Sequence, residues 1–232
     1  MENRTSTALV AGNKQAASTT WGSDRSQVHR VLKNTYALLS LTLLFSAAVA
    51  AASVAGQWPA PGLLLTLAGY FGLLFAVHRL QHSAWALPAV FALTGFMGYT
   101  LGPLLTHTLA LPGGASTIAT ALGATGATFL ALSAYVLLSR RDFGFMGGFL
   151  FAGMVVALAL GLAAYFLELP GLALAVSGLL ALLSVGLILF ETSRIVQGGE
   201  SNYVLATVSL YVSVFNLFTS LLSLLDMGGR DD

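Results

Sequence analysis

The chain contains no cysteine, so disulfide frameworks, thiolate metal centres and cysteine nucleophiles are all excluded. Cysteine usage therefore carries no information about redox compartment. Charge is almost as scarce. Only 8% of the 232 residues are Asp, Glu, Lys or Arg, against the quarter or so usual in a soluble domain, and the net charge of +1 offers no basic face for a nucleic acid. Also missing are the His-Glu-x-x-His zinc motif, a Walker-type phosphate loop and a Gly-x-Ser-x-Gly nucleophile elbow. His78 and His82 stand at i and i+4 beside Arg79 with no third ligand nearby, and read better as an interfacial cationic cluster than as a metal site. Without an acid, base and nucleophile set, an enzyme is not expected, and neither is a cofactor.

What is present is apolar sequence, 56% of the chain, in long runs. Segments near the ~20 residues needed to cross a hydrocarbon core follow one another with short connections. They run from Asn34 to Gly56, Gly62 to Leu80, Trp85 to Thr106, Ser116 to Ser139, Phe145 to Leu167, Gly171 to Phe190 and Tyr203 to Leu225. This predicts an all-α membrane protein of seven transmembrane helices. Prolines punctuate the boundaries, and Gly102-Pro103 predicts a kink or an early stop in the third helix. The glycines within the spans predict close helix packing, because small residues let backbones approach in a solvent that gives no hydrophobic drive for association. No internal repeat is visible.

Residues 1–30 are rich in Ser, Thr, Ala, Asn and Gln without apolar periodicity, the composition of a disordered tail. A cleaved signal peptide is set aside, because the charged region before the first apolar run exceeds thirty residues. The transmembrane domain is then 31–227 and a short external tail 228–232. Arg25, Arg30 and Lys33 precede the first helix, Arg79 follows the second, Arg140 and Arg141 the fourth, and Arg194 the sixth. These are alternate loops. The intervening loops carry no Lys or Arg, and only Arg230 lies beyond the seventh helix. The positive-inside rule then places the N-terminus in the cytoplasm and the C-terminus outside.

Candidate functional residues are few. Glu191 follows Leu187-Ile188-Leu189-Phe190 without a break, and a charged carboxylate in a bundle is costly unless paired or protonated. Arg194, at i+3, is its candidate ion-pair partner. In the last helix, Ser209, Ser213, Asn216, Ser220 and Ser223 recur at spacings of four and three, a polar stripe best placed against neighbouring helices, which makes this the most protein-surrounded helix.

The stretches Lys33-Asn34-Thr35-Tyr36, Thr94-Gly95-Phe96-Met97-Gly98-Tyr99 and Leu101-Gly102-Pro103 resemble the Bax inhibitor-1 family. Phe190-Glu191-Thr192-Ser193, Gly198-Gly199-Glu200-Ser201-Asn202-Tyr203 and Ala206 to Ser213 are similar to a bacterial inner-membrane branch of it. The resemblance implies a seven-helix bundle whose C-terminal helix is enclosed by the other six. For the bacterial branch it implies interaction with FtsH, an ATP-dependent membrane protease, both as modulator and as slowly handled substrate. Such a protease must grip a flexible segment, which makes the tail carrying Met1, Trp21 and His29 its candidate handle. For the family at large it implies, as an alternative, a pH-sensitive calcium or proton leak with acidic residues on the sixth and seventh helices. Glu191 holds the first of those positions, but Ser209 and Ser213 occupy the others, with Asn216 further along the stripe. The carboxylate pair of such a switch is lost.

Overall fold

The computed structural model describes the backbone over residues 3–228 and side chains over residues 27–226. Seven α-helices account for nearly all of it: α1 (Asn3–Ala55), α2 (Leu63–Leu80), α3 (Ala86–Leu109), α4 (Gly114–Ser139), α5 (Gly147–Phe166), α6 (Pro170–Val196) and α7 (Tyr203–Gly228), with a single 3₁₀ turn at Gly144–Met146 before α5. Each contains a stretch long and apolar enough to cross a membrane, from the Gln27–Ala55 part of α1 to Tyr203–Asp226 of α7. The protein is a multi-pass membrane protein. Of the tail expected over 1–30, only residues 27–30 have described side chains, and these belong to α1.

Helix ends follow local chemistry. Pro170 opens α6, where its missing N–H has no helical acceptor to lose. At the other end of α6, Gly198 takes φ +77°, the left-handed conformation that lets the Gly199 N–H reach the Arg194 carbonyl and the Gly198 N–H that of Ile195. The helix thus extends to Val196, six residues past the predicted end at Phe190, and Glu191 lies within it.

The third helix departs from its prediction more sharply. It runs through Pro103 to Leu109, past the early stop that was one of the two outcomes expected at Gly102-Pro103. Proline at 103 has no N–H for the Tyr99 carbonyl one turn back. Ser53 of α1 supplies a donor instead, its Oγ lying 3.4 Å from that carbonyl oxygen. A Cβ on Gly102 would collide with the Ser53 side chain, so the glycine makes room for the replacement donor.

Helix α7 stands at the centre. Half of its most apolar stretch is buried (50%), against 6% in α2 and 17% in α5. Its neighbours are α1, α3, α4 and α6, while α2 packs outside on α3 and α5 on α6. The expected enclosure is therefore a ring of four helices with two more outside it. Tyr211, 1% exposed, ties the centre together: its hydroxyl lies 2.6 Å from Ser46 Oγ of α1 and donates to the Thr94 carbonyl of α3 at 3.3 Å. In the apolar core around it, Leu210 and Val208 of α7 meet Leu39 of α1, Val90 and Leu93 of α3 and Ile195 of α6.

The glycines divide. Gly69, Gly95, Gly98, Gly102 and Gly153 each back onto a side chain or backbone of a neighbouring helix too closely for a Cβ, as packing requires. Gly72, Gly123, Gly126 and Gly148 face open space, so close packing does not account for them.

Candidate functional site

The polar residues that the bundle draws together lie where α6 turns into α7. Glu191 is 7% exposed, and its Oε2 accepts no hydrogen bond among the described residues. Its cation is Arg194, whose Nη1 lies 3.5 Å away, as the i+3 spacing predicted. The same guanidinium reaches a second carboxylate, with Nη2 donating to Glu200 Oε2 at 3.2 Å, and its carbon sits 5.5 Å from the centre of the Phe190 ring. Arg194 therefore bridges two acids, one on its own helix and one in the turn that follows it. Sequence reasoning missed Glu200, because the Gly198 conformation is what folds residue 200 back over the helix end.

The turn is fastened to two other loops. The Asn202 side-chain oxygen caps α7 by accepting the Val204 N–H at 2.9 Å, while the Asn202 backbone N–H donates to Glu200 Oε1 at 2.9 Å. Its amide nitrogen lies 3.2 Å from Gln81 Oε1 in the α2–α3 loop. Gln197 Nε2 donates to the Arg140 carbonyl at 2.8 Å, and Ser193 Oγ accepts the Phe143 N–H at 2.9 Å while donating to the Arg141 carbonyl at 3.2 Å. The loops that follow α2, α4 and α6, next to Arg79, Arg140-Arg141 and Arg194, thus meet at one end of the bundle. Gln81 and Gln197 did not stand out in the sequence, and Ser193 and Asn202 did so only as part of the stretches that carry the family resemblance, with no role attached. The one local signal was the Asn at 202, directly before a helix start.

The serine stripe behaves differently from the acidic cluster. Ser213 is buried, but its Oγ donates to the Ser209 carbonyl of its own helix at 2.9 Å, and Ser209 and Asn216 are only half-buried. Among the described residues no hydrogen bond joins Glu191 to Ser209, Ser213 or Asn216. Nor does any described group of three or more His, Asp or Glu stand close enough to hold a metal ion. His29 is exposed on α1 at the same end as Arg194, whereas Met1 and Trp21 lie outside the residues with described side chains.

A profile of the family described as "Inhibitor of apoptosis-promoting Bax1" matches residues 28–231. The chain belongs to the Bax inhibitor-1 family. It is 52% identical over 203 residues to the Escherichia coli K12 protein named "Modulator of FtsH protease YccA", covering 88% of this chain and 92% of that one. An uncharacterised Pseudomonas aeruginosa protein is 48% identical over 209 residues (90% and 94% of the two chains), and a Vibrio cholerae membrane protein 45% over 207 residues (89% and 93%).

Proposed function

We propose that this protein is a bacterial inner-membrane regulator that binds the ATP-dependent protease FtsH, modulates its handling of other membrane proteins and is itself a slow substrate, with no catalysis of its own. The observation that carries this reading is the 52% identity, over nearly the full length of both chains, to a protein named as a modulator of FtsH. In this reading the end bearing Arg79, Arg140, Arg141 and Arg194 faces the cytoplasm, as the positive-inside rule requires. The polar N-terminal segment emerges there, within reach of a cytoplasmic unfolding machine. The calcium or proton leak is not adopted, because Ser209 and Ser213 bring no second carboxylate to Glu191, which Arg194 already engages.

The test combines two measurements on the full-length protein. FtsH should co-purify with it from membranes, and its addition to FtsH proteoliposomes should slow degradation of a second membrane substrate. Absence of both effects, together with a calcium flux lost in Glu191→Gln, would give the function to the leak instead.

A further inference from the structure

Beside the Arg194 cluster, the same end of the bundle holds a second feature, an open cavity of about 620 Å³. That volume falls within the range of roughly 300–1,000 Å³ usual for small-ligand sites. Three parts of the chain wall it: His29 and Leu32 from α1, Leu137 and Arg140 from the end of α4, and Gln197 and Glu200 from the α6–α7 turn. Both helical walls are graded in the same sense. On α1 the imidazole of His29 lies three residues outward of Leu32, and on α4, which leaves the membrane where α1 enters, Arg140 lies three residues outward of Leu137. Three residues are about 4.5 Å of helix rise, so each wall presents a nitrogen donor at its outer level and a leucine one turn deeper.

The charges in the cavity are unequally committed. Glu200 is spent: Arg194 holds one of its carboxylate oxygens and the Asn202 N–H the other. The Arg140 guanidinium has neither ion pair nor hydrogen bond among the described residues, although its backbone is fixed by the Gln197 bond to its carbonyl. What fits is an amphiphile with an anionic head and an apolar body, entering from the level at which lipid headgroups lie. We propose that this cavity binds the phosphate-bearing headgroup of a membrane phospholipid, with Arg140 and His29 donating to the phosphate and the acyl chains running inward past Leu32 and Leu137. Arginine suits the role because its planar fork can donate two parallel hydrogen bonds to phosphate oxygens.

Arg140 takes φ +50°, a conformation asparagine tolerates, so Arg140→Asn removes the guanidinium without straining the backbone. Native mass spectrometry of the full-length protein titrated with phosphatidylglycerol should show one tightly held lipid. In Arg140→Asn that lipid should bind about tenfold more weakly, the order expected for losing one charge-assisted pair. His29→Gln, which leaves Arg140 in place, should show a smaller loss, and Arg79→Gln, at the same end but outside the cavity, none. Equal binding in wild type and Arg140→Asn, or an equal loss in Arg79→Gln, would overturn the site. A diacylglycerol of the same chains should not compete. Inorganic phosphate that displaces the lipid at comparable concentration would overturn the assignment to a lipid in favour of a soluble anion.

Discussion

Arg194 serves two carboxylates with one cation, and Glu191 depends on it most, being buried with an oxygen that no hydrogen bond from a described residue satisfies. Replacing Arg194 by Gln leaves that carboxylate without its cation, and the expected loss is about 1–3 kcal/mol, below the value for a fully buried pair because the Arg194 side chain is 37% exposed. Glu191→Gln in the same background should recover part of it, so the double variant should melt above Arg194→Gln alone. Strict additivity of the two single changes, measured by thermal unfolding in detergent, would show that the two groups are not coupled. The Glu191–Arg194 pair was legible because two residues three apart on a helix must share a face. Glu200 was not, since its place depends on the left-handed turn at Gly198. The contacts of Ser193 and Gln197 reach across more than fifty residues to Arg141 and Arg140, and no local pattern announces them.

Among the elements, α3 shows most plainly how tertiary context overrides a local signal. Pro103 would interrupt an isolated helix, yet α3 continues for six residues beyond it, with Ser53 Oγ of α1 3.4 Å from the carbonyl that the proline abandons. Ser53→Ala should therefore cost about 1–2 kcal/mol in wild type, by leaving the Tyr99 carbonyl without a donor in a membrane interior. Combined with Pro103→Ala, which restores a backbone N–H to that carbonyl, the same change should cost markedly less. An unchanged cost in the two backgrounds, by thermal unfolding, would mean that the long Ser53 contact is not what carries the helix past the proline. Helix number and placement were readable from the sequence because hydrocarbon thickness sets the length of each apolar run. The polar stripe of α7 pointed to a buried helix, but it could not show that the other faces, with Leu210 and Leu222, are buried as well. That depends on which helices surround it.

For the molecule as a whole, orientation and turnover are the open quantities. The absence of cysteine makes the first simple to measure: single cysteines at Ser23 and Arg141 should react with an impermeant maleimide only from the cytoplasmic side, and one at Gly228 only from outside. A cytoplasmic position 228 would contradict the proposed orientation. Deleting the first twenty residues should lengthen the protein's half-life in cells with active FtsH while leaving the bundle folded, and an unchanged half-life would argue against the tail as the protease's handle. The way α1 sits in the bundle then sets what such a machine would feel. Gly98 and Gly102 of α3 seat Ser46 and Ser53 at two levels of α1, and Tyr211 of the central helix grips it at Ser46. Traction on the N-terminus acts along the axis of α1, so these attachments are loaded in shear and share the force, where a sideways pull would peel them away in succession. A bundle held in this way would meet such a machine with its strongest resistance at the first helix, where α3 and α7 share the load.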